Sequence, residues 1–129
     1  MNNGEQCRTR CATWALPETL RELNSGCEGL VSDLIELFMT DTAARLERVR
    51  RATTVVDRSV LKAEMHSIKG SARQIGADVM ASTCEEIELA TASCSISNLA
   101  ESVGGLEADF VGVCGAMSSF TTCSASLPL

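Results

Sequence analysis

The carboxyl-terminal part of the chain carries its most regular apolar pattern. Apolar residues recur at alternating intervals of four and three, at Leu99, Val103, Leu106, Phe110, Val113, Met117 and Phe120. Such a heptad predicts one long helix that buries a narrow apolar stripe against neighbouring helices. The pattern stays in register across Gly104 and Gly105, so we expect a continuous helix with a weak point at this pair.

The preceding segments carry the start and stop signals of further helices. Pro17 stands at an early position of a short first helix, which Asn24-Ser25-Gly26 interrupts. Asp57 is the expected N-cap of a later helix, and Gly76 is its expected end. The long helices expected before the heptad cover about residues 28–51, 58–75 and 78–93.

Four long amphipathic helices with short connections, preceded by a short one, predict an all-α fold. We expect an antiparallel four-helix bundle with a short additional N-terminal helix. The bundle is assigned to residues 16–122, with a flexible tail at 1–15 and a second tail at 123–129. The sequence has no alternating strand pattern, internal repeat or glycine-rich phosphate loop, so neither an ATP site nor kinase activity is expected.

The formal net charge of −6 argues against a general nucleic-acid-binding protein. The cations are concentrated, because eight of the eleven Lys and Arg residues lie between Arg45 and Arg73 and none follows Gln74. One basic surface on an acidic protein suits an acidic pocket on a partner. For the four arginines between 45 and 51, the negative end of a helix dipole is the larger expected cause.

Met1–Thr13 is polar and lacks the basic start and apolar run of a signal peptide, so we expect a cytoplasmic protein whose seven cysteines are reduced. No stretch approaches the roughly 20 apolar residues of a membrane span, so no membrane partner is expected. Cys7 and Cys11 do not form a CxxC pair and the chain has a single histidine, so no metal site is expected. Cys84 and Cys114 are expected to fill the core as small apolar residues.

The single histidine lies on the polar face of an amphipathic helix. At about 100° per residue, His66 shares this face with Lys62, Lys69, Gly70 and Arg73. The opposite, apolar face carries Val60, Leu61, Ile68, Ala72 and Ile75. Glycine inside a helix costs roughly 1 kcal/mol relative to alanine, so we interpret Gly70 as clearance for a macromolecule. An imidazole with nearby cations and open access predicts a phosphoryl acceptor.

Interpretations that give these residues no functional role also remain possible. His66 is alternatively a surface histidine without chemistry, Lys69 a solvated lysine, and Gly70 a packing contact with another helix. Ser67 and Gln74 are further candidates for contacts with the phosphoryl group or the docking partner, although polar helix faces carry such residues anyway. Ser71 falls toward the apolar side and is expected to be a small packing residue.

The motif resembles that of the histidine-containing phosphotransfer (HPt) domain family of two-component signalling. That motif has a histidine, Lys-Gly at the third and fourth positions after it, and Gly-Ala six residues further on. The corresponding residues are His66, Lys69, Gly70, Gly76 and Ala77, with Cys84, Ile87 and Glu88 similar to the motif of the next helix. Gly76 and Ala77 are read as structural. Met65 departs from the family's usual small residue, and we expect it to affect partner choice.

The resemblance implies a phosphorelay intermediate. His66 would accept a phosphoryl group on Nε2 from the aspartyl phosphate of a receiver domain and pass it to another receiver. The partners implied are response-regulator receiver domains of a hybrid sensor kinase and a downstream regulator. The chain would need no cofactor of its own, and Mg²⁺ is expected on the receiver. Two other hypotheses remain. One is a helical bundle that sequesters receivers or kinases without phosphotransfer, and the other is a metal or redox protein that uses the cysteines.

Overall fold

The computed structural model describes residues 14–26 and 29–126. This part of the chain contains helices and no strand, as predicted. The helices are α1 (Glu18–Gly26), α2 (Leu30–Thr54), α3 (Arg58–Ile75), α4 (Asp78–Ala90) and α5 (Ile96–Ser126). Most of the predicted N-terminal tail, including Cys7 and Cys11, lies outside the described residues.

The four long helices form a closed bundle. Helix α3 packs between α2 and α4, and α5 contacts both α4 and α2, while α1 packs on α2. Each long helix turns an apolar stripe inward; the largest fully buried apolar side chains are Ile35, Leu61, Met65, Ile68, Met80, Ile87, Leu99, Leu106 and Met117. Burial of each such side chain contributes about 1.5–3 kcal/mol, which offsets part of the cost of ordering the chain.

Helix α5 confirms the heptad and exceeds its predicted length. It runs without a break through the exposed Gly104 and Gly105. It also continues to Ser126, so the assignment of residues 123–126 to a tail was wrong. The reason is that no proline interrupts the sequence before Pro128, which disfavours helix at the residue just before it.

Helix α4 ends at Ala90, earlier than the predicted Ser93. Arg58 holds the turn that follows, because its Nη1 donates to the carbonyl oxygens of Thr91 at 2.7 Å and Cys94 at 2.8 Å. A cation at these carbonyls also favours the negative end of the α4 dipole. The connection from α4 to α5 is therefore anchored on the first turn of α3.

The predicted N-terminal tail was wrong at Trp14, which is buried against the end of the bundle. Its Nε1 donates to the carbonyl oxygen of Ile75 at 2.8 Å, and its ring meets Phe120 edge-on. The carbonyls in the last turn of a helix have no intrahelical partner, so this bond satisfies one at the end of α3. Gly76 has φ of +85°, and a Cβ there would lie 2.5 Å from Cγ of Pro17.

Candidate functional site

Helix α3 has a capping residue at each end. The Asp57 carboxylate accepts from the backbone N–H of Val60 at 3.1 Å, and Gly76 in the left-handed region ends the helix. The buried stripe consists of Leu61, Met65, Ile68, Ala72 and Ile75. Val60 is exposed, so its assignment to the apolar face was wrong. The neighbouring Leu61 is fully buried, so the buried stripe begins at Leu61 and leaves Val60 outside it.

His66 points away from this stripe, and its side chain is 71% exposed. Nδ1 of the ring lies 3.2 Å from Oε2 of Glu88 on α4. No hydrogen bond to Nε2 occurs among the residues that the structure describes. One ring nitrogen is thus held by α4, and the other faces solvent. Met65, the residue before His66, is fully buried and has no surface with which to contact a partner directly.

Glu88 joins His66 to Lys69. Nζ of Lys69 lies 2.8 Å from Oε1 of Glu88, and each of these two side chains is only 15% exposed. The ion pair with Lys69 is the largest cause that lowers the pKa of the Glu88 carboxyl, against the opposing effect of burial. Glu88 is therefore ionised at neutral pH and can only accept hydrogen bonds, so a proton on Nδ1 of His66 donates to it.

The other cations of the predicted face differ in whether they form an ion pair. Nη2 of Arg73 lies 2.6 Å from Oε1 of Glu85, in a pair whose side chains are about half exposed. Lys62 is exposed and makes no ion pair within the described ranges. The reading of Lys69 as a solvated lysine was wrong, because it is bound to Glu88. The sequence placed these cations on one face and gave no sign of which were already paired.

The surface around Gly70 is open. A Cβ added there would meet no atom within 4 Å, so no neighbouring helix packs on this position. The alternative of a packing contact at Gly70 was therefore wrong. Ser67 is half-buried beside His66, and Gln74 is exposed one turn after Gly70. The face from His66 to Gln74 thus presents a ring nitrogen next to a stretch of bare helix.

An apolar groove of about 420 Å³ borders this face on the α2 side. Leu37 and Phe38 of α2 line it together with Ser71 and Gln74 of α3. Leu37 is 65% exposed at the rim of this groove, so its apolar side chain is open to contact. Ser71 lines this groove and is half-buried, so it faces the groove on the α2 side.

Glu88 is the residue whose contacts sequence reasoning missed. The sequence marks it only as a position of the family motif and indicates no role for it. A usable signal exists, because Glu88 follows the buried Cys84 by four residues and so lies on the same face of α4. A carboxylate at the edge of a buried helix face needs a cation or a donor on the neighbouring helix, and α3 supplies both.

Most arginines of α2 form ion pairs with carboxylates of α2, α3 or α5. Arg45 pairs with Asp41 and with Glu64 of α3, and Arg48 also pairs with Glu64. Arg50 reaches Glu107 of α5 at 2.6 Å. The dipole explanation was therefore wrong as the larger cause for these three, and it retains force only for Arg51 in the last turn. Most of the predicted basic surface is neutralised within the bundle.

Cys84, Cys94 and Cys114 are free thiols. Cys84 is fully buried, and burial raises the pKa of its thiol to about 12. Cys114 is only half-buried, so the core role holds in full for Cys84 alone. Within the described ranges, no group of three or more His, Cys, Asp or Glu side chains is placed to bind a metal ion. The described helices also include none with the length and apolar character needed to cross a bilayer.

Comparisons with known proteins agree with this geometry. The sequence model of the Hpt domain matches residues 33–113, which is more than half of the chain. The crystal structure of histidine-containing phosphotransfer protein B (HptB) from Pseudomonas aeruginosa PAO1 superposes with a TM-score of 0.72 at 24% identity, covering 81% of this chain and 91% of that chain. The comparison with curated proteins gave no match. With an exposed histidine at the centre of the matched region and a fold shared with HptB, the chain belongs to the Hpt domain family.

Proposed function

We propose that the protein is a phosphorelay intermediate that takes a phosphoryl group from one receiver domain and gives it to another. The observation that carries this proposal is the ring of His66. Its Nδ1 is held 3.2 Å from Glu88, and the side chain is 71% exposed. A ring fixed at one nitrogen and open at the other presents a single nucleophilic atom in a defined direction.

The transfer forms one covalent bond and breaks another. The lone pair of Nε2 attacks the phosphorus of an aspartyl phosphate, an Nε2–P bond forms, and the P–O bond to the aspartate breaks, which releases its carboxylate. The proton on Nδ1 stays in place, so the ring becomes positively charged as the new bond forms. Glu88, ionised and adjacent to Nδ1, stabilises that charge. Lys69 in turn keeps Glu88 ionised and positioned.

We propose that the receiver docks over Gly70 and the groove beside it. The bare surface at Gly70 admits a second protein close to His66, and the exposed Leu37 offers an apolar contact at the edge. The fitting partners are receiver domains of a hybrid sensor kinase and of a downstream regulator, which bring their own Mg²⁺. In this scheme the protein acts in the cytoplasm and needs neither a cofactor nor kinase activity, because the phosphoryl group arrives from the partner.

Incubation with a phosphorylated receiver domain tests the proposal. We expect label on this chain that is labile in acid and stable in alkali, as phosphohistidine is, and none on a His66→Gln variant. A second, unphosphorylated receiver added afterwards is expected to take up the label. Binding of the receiver without any transfer of label would instead support the sequestering bundle.

A further inference from the structure

Arg73 and His66 lie on one face of α3, two turns apart. Seven residues advance a helix by about 10.5 Å and rotate it to within about 20° of two full turns. Gly70 holds the position between them, four residues after His66 and three before Arg73. Because nothing lies within 4 Å of a Cβ at Gly70, the helix surface between the guanidinium and the imidazole is unobstructed.

The ion pair between Arg73 and Glu85 is weak enough for an anion of higher charge to replace Glu85 as the partner of Arg73. Arg73 and Glu85 are 55% and 46% exposed, and exposed pairs of this type contribute little stability. The pair of Lys69 with Glu88 is different, because both side chains are 15% exposed and the same carboxylate also holds His66. Of these two paired cations, Arg73 is thus the one that is free to exchange.

We infer that Arg73 changes partner when His66 is phosphorylated, leaving Glu85 and binding the phosphoryl oxygens. This inference rests on the proposed function, since it needs a phosphoryl group on His66. A phosphoryl group has nearly two negative charges and three acceptor oxygens, and a guanidinium binds such a group through two parallel hydrogen bonds. Glu85 then holds Arg73 only in the unphosphorylated protein.

Side-chain direction favours Arg73 over Lys62. Side chains on a helix lean toward its N-terminus, so Arg73 leans from its own turn toward Gly70 and His66. Lys62 precedes His66 by one turn and leans away from it. Gly70 accordingly has a role within the chain as well, because a side chain there would stand between Arg73 and the phosphoryl group.

The pKa of the phosphoryl group measures this contact directly. The full chain is phosphorylated with phosphoramidate, whose P–N bond breaks as Nε2–P forms and ammonia leaves, and mass spectrometry locates the group. The ³¹P resonance is then titrated. A nearby guanidinium favours the dianion, so Arg73→Ala is expected to raise the phosphoryl pKa by about 0.2 to 0.7 unit. Arg50→Ala, which removes an exposed arginine paired with Glu107, serves as the matched control with no change.

Glu85 is tested in both backgrounds. If Glu85 competes for Arg73, Glu85→Gln lowers the phosphoryl pKa more in the wild type than in the Arg73→Ala variant. An equal effect in both would show that Glu85 acts by its own charge, and would overturn the exchange. Identical titrations of wild type and Arg73→Ala, or a shift seen only with Lys62→Ala, would also overturn it. Failure of the wild type to form phosphohistidine would instead remove the proposed function itself.

Discussion

Oε2 of Glu88 lies 3.2 Å from Nδ1 of His66, so a carboxylate on α4 fixes the orientation of a ring carried by α3. The same carboxylate receives Lys69 at 2.8 Å. The candidate site is therefore built where two helices meet, and its geometry depends on the packing between them. Any change that shifts α4 against α3 is expected to reach His66 through Glu88.

The His66→Gln variant is expected to lose phosphoryl acceptance and keep its fold. The side chain is 71% exposed, and surface substitutions away from special features change stability by less than about 0.5 kcal/mol. Glu88 keeps Lys69 as its partner in this variant, so no buried charge is left unpaired. Thermal melts followed by circular dichroism check the stability. A large drop would show that His66 supports the core.

Lys69→Ala is expected to change how stability depends on pH in the acid range. Lys69 is the largest cause of the lowered pKa of Glu88, so ionised Glu88 stabilises the folded state. That contribution is complete above the unfolded pKa of about 4.3 and is lost as pH falls through the lower folded value. Urea unfolding between pH 3 and 7 measures it. We expect the wild type to lose more stability than Lys69→Ala on acidification, and parallel curves would contradict this assignment.

Substitutions at Gly70 are expected to separate folding from docking. Gly70→Ala should raise the free energy of unfolding by up to about 1 kcal/mol, because alanine is the better helix former and the added methyl meets nothing. Gly70→Gln should weaken receiver binding, since its side chain fills the open surface. Melting curves and titration calorimetry with a receiver domain are the two measurements. Full receiver affinity in Gly70→Gln would place the docking surface elsewhere.

Leu37→Asp is expected to weaken receiver binding without loss of stability. Leu37 is 65% exposed at the rim of the groove, so the folded chain gains little from its apolar side chain. Leu89→Asp is a matched control on α4, where the leucine is 75% exposed and does not line the groove. Equal binding losses in the two variants would argue against the groove as the docking site.

Thr42→Val is expected to stabilise the protein by about 1 kcal/mol. Thr42 is 1% exposed, and its Oγ1 has no hydrogen-bond partner in the part of the chain that the structure describes, so the folded state carries the cost of an unsatisfied hydroxyl. Valine has nearly the same shape without that group. Thr42→Ser keeps the hydroxyl and loses a methyl group, so it should destabilise. Chemical unfolding of the three proteins measures the series, and a less stable Thr42→Val would reveal a bond to water.

The parts of the fold set by local pattern were predictable. The heptad from Leu99 to Phe120 predicted α5, and Asp57 and Gly76 carry the capping chemistry seen at the two ends of α3. Trp14 was missed because its partner, the carbonyl of Ile75, is 61 residues away in sequence. A lone tryptophan in a polar segment gives no periodic signal, so only the folded chain shows what it packs against.

At the candidate site too, local spacing was predictable and contacts between helices were not. The face shared by His66, Lys69, Gly70 and Arg73 follows from helical spacing alone. Which cation is buried and which is exposed depends on α4, because Glu88 and Glu85 lie one turn apart and select different partners. Sequence spacing on one helix cannot determine such pairings between helices, so the ion pair of Lys69 with Glu88 could not be predicted.

The position of Trp14 gives the protein a built-in optical probe. It is the single tryptophan of the chain, and it is buried where the N-terminal segment meets the ends of α3 and α5. Detachment of that segment alone would shift its fluorescence to longer wavelength and leave the far-ultraviolet dichroism of the helices nearly intact. Comparison of the two signals in one denaturant titration therefore distinguishes local release of the N-terminal segment from cooperative unfolding of the bundle.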